Sequence, residues 1–249
     1  MNQLRMKNIL SAFAITAVAM AVSPAVHAAH NLPAGDVASP LALGLPDGFS
    51  TANLLASSMS TLSAPGNSFT ATFSSAVYAN TASAVDGMAP GFTAGASVLD
   101  FVYQISNSPN SASSLSRLTF FDFAPGLDPN QFSLLLWQTG TDIDGAGSPL
   151  FSMGAQAPTD ADRGANGKTV GVNFDTTIPG KINPGETSFT LIVRANTSNY
   201  ATGFFSAING TTATVSSFAP VAAIPEPETY ALMLAGLGAL GFVARRRKS

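Results

Sequence analysis

Leu99-Asp100-Phe101-Val102-Tyr103-Gln104-Ile105, closed by Asn107-Ser108-Pro109-Asn110-Ser111, is the stretch on which the fold turns. Apolar side chains at 99, 101, 103 and 105 alternate with Asp100 and Gln104, the period of a strand that buries one face. The cluster that follows is built from residues that favour turns. Working outward, Phe69, Ala71 and Phe73 alternate with Ser68, Thr70 and Thr72, and further strands are predicted at 118–123, 132–137, 170–174, 189–193, 203–208 and 212–218. Helical spacing competes in the interior only at Leu54-Leu55-Ala56-Ser57-Ser58-Met59. Eight short strands separated by Gly, Pro, Asn and Asp predict an all-β fold, an antiparallel β-sandwich of jelly-roll or immunoglobulin-like kind.

Composition agrees with that reading and removes several functions. Only 10% of the 249 residues are charged, against 22 Gly and 16 Pro, which disfavours long surface helices. The absence of Cys excludes disulfides, thiolate nucleophiles and Cys-ligated metals. The formal charge of −3 is unevenly spread. Between Ala29 and Ile224 there are 5 Lys and Arg against 12 Asp and Glu, a net −7. So acidic a domain cannot neutralise many phosphates, so nucleic acid is not an expected partner.

Both ends carry targeting patterns. Arg5 and Lys7 precede an uncharged run from Ile9 to Val22, a fitting length for the core of a signal peptide and short of the ~20 residues of a spanning helix. Pro24 and Val26-His27-Ala28 then place small or apolar residues where a signal peptidase reads, so cleavage is expected between Ala28 and Ala29; the alternative is a retained N-terminal anchor. At the other end, Ile224-Pro225-Glu226-Pro227-Glu228-Thr229 leads into the uncharged run Tyr230 to Ala244 and the cluster Arg245-Arg246-Arg247-Lys248. The prolines make a stiff extended spacer. The run would cover about 23 Å as a helix, short for a ~30 Å hydrocarbon core, so the arginines must snorkel or the bilayer thin. The terminal cations belong on the cytoplasmic side, which leaves the domain outside. The expected organisation is therefore a signal peptide (1–28), a leader that is irregular or an edge strand (29–66), a β-sandwich (67–218), a Pro-rich linker (219–229), and a single transmembrane helix with its basic tail (230–249).

Residues 224–248 resemble the PEP-CTERM sorting signal, with its Pro-Glu-Pro motif, its Gly- and Leu-rich apolar segment and its terminal arginine cluster. The resemblance implies that Pro225, Glu226, Pro227, Arg245, Arg246 and Arg247 form the sorting motif and that an integral-membrane exosortase is the processing partner. It also implies a destination at the cell surface or in the exopolysaccharide matrix of a Gram-negative bacterium, as in biofilms. The same module is also labelled an ice-binding-protein C-terminal domain. It supplies an address and no activity for the middle domain. Gly236-Leu237-Gly238-Ala239-Leu240-Gly241 fits a dinucleotide fingerprint in spacing only, since no strand precedes it and no acidic residue follows. Its small residues suit close packing against a membrane partner.

Few residues of the middle domain suggest chemistry. His27 falls in the predicted signal peptide and His30 at the second position of the mature chain, where a frayed end is expected, so no histidine remains for a catalytic triad or a metal. Glu186 is the domain's single glutamate. A carboxylate pair would therefore need Asp100, Asp122 or Asp175, which are expected as outward, solvated acids. Two acidic loops offer Ca²⁺ ligands at i and i+2 beside glycines: Asp142 and Asp144 in one, Asp160, Asp162 and Asn166 in the other. Turn chemistry explains the same residues, because neither loop completes an EF-hand pattern. Trp137 suits a core or strand-end position better than a sugar platform. The pairs Thr70/Thr72 and Thr212/Thr214 suit strands as well as an ice-facing row. Asn196 and Asn209 fit glycosylation sequons. These readings predict an exported, non-enzymatic protein with a structural or binding role and no cofactor other than a candidate Ca²⁺. The alternative is a carbohydrate- or ice-binding module.

Overall fold

A computed structural model describes residues 30–31, 35, 37–38, 51–81, 95–123, 132–137, 150–174, 180–221 and 233–237, with 132–137 described as backbone. They form two six-stranded antiparallel sheets. In chain order the strands are β1 (His30–Asn31), β2 (Val37–Ala38), β3 (Leu54–Ser63), β4 (Thr70–Thr81), β5 (Ser97–Asn107), β6 (Arg117–Phe121), β7 (Phe132–Trp137), β8 (Asp160–Arg163), β9 (Val170–Asn173), β10 (Thr190–Ala195), β11 (Asn199–Asn209) and β12 (Thr211–Val221). One sheet runs β1-β7-β10-β5-β4-β3, the other β12-β11-β6-β9-β8-β2. The chain crosses between sheets five times from β5 to β11.

The alternation in β5 does what its period requires. Leu99, Phe101, Tyr103 and Ile105 all enter the core, with Phe73 and Val77 of β4 and Leu191 and Val193 of β10. Leu118 and Phe120 of β6, Val170 and Val172 of β9, and Phe205 and Ala207 of β11 face them from the other sheet. Rings lock the two layers together: Phe73 stacks on Phe205 with centroids 3.8 Å apart, and Tyr103 meets Phe120 at 4.4 Å. The Tyr103 hydroxyl donates to the Phe218 carbonyl at 2.7 Å, so this polar atom is satisfied across the sheets. Burial pushes the Tyr103 phenol well above its ordinary pKa.

Several expectations are corrected. Residues 54–59 are not helical; they open the edge strand β3, in which Leu55 is an extra residue between the pairs Leu54↔Tyr78 and Ala56↔Val77. His30 is not frayed, since it pairs with Leu134. Strand β12 runs on through Pro220 to Val221, past the expected domain end at 218. Proline is tolerated there because β12 is a sheet edge. No helix among the described residues is long and apolar enough to cross a membrane. Of the expected 230–249 helix, residues 233–237 are described; they are helical, and Met233, Leu234 and Leu237 are exposed.

Asp100 is the largest departure. A polar residue on the face of β5 opposite the core should meet water, yet Asp100 and Gln104 are buried, as are Ala76, Tyr78 and Ile192 on neighbouring strands. That outer face is itself covered. Part of the cover is a strap at 151–156 tied to the residues just before β10: Ala155 N–H donates to the Thr187 carbonyl and Phe189 N–H to that of Gln156. The Gln104 side chain pairs with Ser152 as a peptide would, donating to its carbonyl (2.7 Å) and accepting from its N–H (2.8 Å). Gly154 makes the approach possible, because a Cβ there would lie 2.5 Å from the Ser188 carbonyl oxygen.

Candidate functional site

Three polar features stand out among the described residues, one on each sheet and one where the sheets' edges meet. On the β5 sheet the register places Arg194 of β10 directly opposite Asp100. Arg194 Nε donates to Asp100 Oδ1 and Nη2 to Oδ2, both at 2.6 Å, and Asn80 Nδ2 of β4 donates to Oδ2 at 2.6 Å. Both charges are fully buried. This bidentate pair is structural, since desolvated partners satisfy one another and leave no carboxylate oxygen for a substrate. It was legible in part: a lone arginine inside Thr190-Leu-Ile-Val-Arg-Ala195 needs a counter-charge if buried.

On the other sheet Asp160 and Asp162 do not belong to a loop. They lie on β8, and the loop expected at 160–167 is a hairpin whose turn places Gly167 at φ +70°. Asp162 is bound bidentately by Arg117 of β6, Nη1 to Oδ1 at 2.6 Å and Nη2 to Oδ2 at 2.9 Å. Arg117 Nη1 also donates to Asn173 Oδ1, and Asn173 Nδ2 donates to Asp160. The guanidinium crosses β9 above Gly171, where a Cβ would lie 1.9 Å from Nη2. Hydrogen bonding to Arg117 holds the Asp162 carboxyl below the usual carboxylate range and raises Arg117 in turn. A guanidinium thus occupies the place a cation would need. Asn166 turns its Oδ1 to the Lys168 N–H. No group of three metal-ligating side chains occurs among the described residues.

The third feature lies where β3 and β12, edge strands of the two sheets, come together. Ser58, Thr202, Ser216, Ser217 and Phe218 line a pocket of about 80 Å³ there. The sheets are stitched nearby by the Ser68 and Thr211 hydroxyls, 2.7 Å apart. Along the same edge Tyr200 and Phe204 of β11 are exposed, and the Tyr200 ring meets Phe218 edge-on at 5.9 Å.

The remaining expected site residues are quickly placed. Asp122 is exposed beyond β6 with φ +66°. Glu186 accepts from the Asn183 backbone and side chain in a turn. Thr70 and Thr72 lie on β4, Thr212 and Thr214 on β12, so the two pairs belong to different sheets. Trp137 stands on β7 opposite Thr190. Ala28, Ala29, Asp142, Asp144, Asp175, Pro225, Glu226, Pro227, Arg245, Arg246 and Arg247 lie outside the described residues.

A family model, the PEP-CTERM protein-sorting motif, matches residues 223–248. This chain carries a PEP-CTERM sorting signal. No curated protein and no solved structure matches the chain. The signal marks an exported protein handled by an exosortase, a membrane enzyme, and sorted through the membrane to surface display. It spans the proline spacer, the apolar run and the arginines, and stops short of the two-sheet domain, whose last strand ends at Val221.

Proposed function

We propose that the PEP-CTERM tail holds a non-catalytic domain, a sandwich of jelly-roll or immunoglobulin-like kind, briefly at the inner membrane of a Gram-negative cell. An exosortase then passes it to the surface or exopolysaccharide matrix, where it has a structural or binding role. Signal peptidase removes residues 1–28 in this reading, and 230–249 span the bilayer until processing. The observation that carries it is the sorting motif at 223–248, which follows a domain whose last described strand ends at Val221. Exposed Met233, Leu234 and Leu237 on one short helix suit a lipid or enzyme partner. The non-catalytic role is supported by carboxylates that are already engaged: Asp100 by Arg194, Asp162 by Arg117, Glu186 by Asn183. We assign no Ca²⁺ role to Asp160 and Asp162 for the same reason. Intact-mass spectrometry and fractionation of the protein from its native host test the reading. Wild type should lose both ends and leave the inner membrane, whereas Pro225→Ala/Pro227→Ala should stay there with its tail. A wild-type protein found in the cytosol with both ends intact would overturn it.

A further inference from the structure

We propose that Asn209-Gly210, at the tip of the β11–β12 hairpin, is a self-modification site at which the Asn209 side-chain amide is converted by the chain's own backbone and water into a carboxylate. An Asn-Gly pair is suited to this chemistry because glycine has no Cβ to screen its nitrogen from the preceding side chain. The sequence holds two such pairs, Asn166-Gly167 and Asn209-Gly210, and the fold treats them differently. Gly167 is buried and its N–H donates to the Gly164 carbonyl at 2.7 Å, while Asn166 Oδ1 accepts from the Lys168 N–H at 3.0 Å. Both reacting groups are therefore engaged at that pair. Gly210 is exposed, with φ +70° and open space where a Cβ would stand, and Asn209 is half-buried at the end of β11. Among the described residues neither the Asn209 side chain nor the Gly210 N–H has a hydrogen-bond partner.

The step balances without a cofactor. The Gly210 nitrogen gives up its proton to hydroxide and attacks Asn209 Cγ. The N–Cγ bond forms, the Cγ–Nδ2 bond breaks, and Nδ2 leaves as ammonia. Water then opens the resulting five-membered imide at either carbonyl: cleavage at Cγ gives aspartate, and cleavage at the main-chain carbonyl gives isoaspartate, with the backbone rerouted through Cγ. Either product adds one negative charge at the hairpin tip, and isoaspartate also lengthens the main chain by one carbon at the terminal pair Asn209↔Thr211. Thr211 is the residue whose hydroxyl bonds that of Ser68 at 2.7 Å, so the altered tip lies beside a tie between the sheets. Conversion also ends the glycosylation sequon that begins at Asn209.

Incubation of the full chain in mildly alkaline buffer, followed by peptide mapping with fragmentation that separates aspartate from isoaspartate, tests this. Asn209 should convert to both isomers about thirtyfold faster than Asn166, since reaction at Asn166 must first break two hydrogen bonds worth about fivefold each. In concentrated urea the two rates should become equal, because the difference is made by the fold and not by the dipeptide. Asn209→Gln should melt as wild type does and remain unchanged at that position, since the longer side chain does not form the five-membered ring. Conversion of Asn166 as fast as Asn209 in the folded chain would overturn the proposal. So would an Asn209 that stays intact while folded and reacts only in urea.

Discussion

Asp100 and Arg194 are two full charges on a face that a strand of this pattern would ordinarily show to water, and both are fully buried. Such a pair is weak evidence of net stability but strong evidence of dependence, because removing one partner strands the other. Arg194→Ala should lower the unfolding free energy by about 3–5 kcal/mol, seen as a shifted urea midpoint, and Asp100→Leu/Arg194→Met should recover most of it. The half-exposed Arg117–Asp162 pair behaves differently. Its contribution at neutral pH is about 1 kcal/mol or less. The folded-state pKa of Asp162 is depressed, so this contribution is present above the ordinary carboxylate value of ~3.9 and is lost as pH falls through the folded value. The stability gap between wild type and Asp162→Asn, from urea titrations between pH 7 and pH 2, should therefore close below about pH 4. A gap that widened on acidification would contradict the assignment.

At the scale of elements, β9 shows how one glycine positions a neighbour. Gly171 sits between β6 and β8, and its missing Cβ is the space through which Arg117 reaches Asp162. Gly171→Ala should displace the guanidinium and cost about 1–3 kcal/mol by thermal or urea unfolding. Most of that penalty should vanish in an Arg117→Ala background, a non-additivity expected of groups in contact. Such cross-strand dependence also explains what could be read in the sequence. All eight strands predicted from alternation are present, because burial of one face imposes period two wherever the other face is polar. Strand β8 escaped because Asp160-Ala-Asp-Arg163 carries the polar residues of a turn; its partners on β6 and β9 make those charges tolerable, and partners are not visible in a local pattern. Asp100 departs from its expected outward place for a related reason: alternation tells which side of a strand meets the core, and not whether a further layer covers the opposite side. The pocket of Ser58 and Thr202 joins residues 144 positions apart, which no local spacing reveals.

On the scale of the whole molecule, address and domain are physically separable. Among the described residues the last core side chain is Ala219 and the last pair of the β11–β12 ladder is Asn199↔Val221, both before the sorting motif begins at 223. The one described piece of the motif, residues 233–237, has every side chain exposed and lies outside the core. A chain ending at Ala222 should therefore melt within about 2 °C of the full chain, since a loss of even 1 kcal/mol would move the midpoint of a domain this size by ~2–4 °C. The same truncation should abolish membrane association and processing in the native host, measured by fractionation and intact mass. A large fall in melting temperature would mean that the tail packs on the domain, and exosortase cleavage would then have to act against folding energy. Unchanged stability would let the enzyme release a finished, rigid domain.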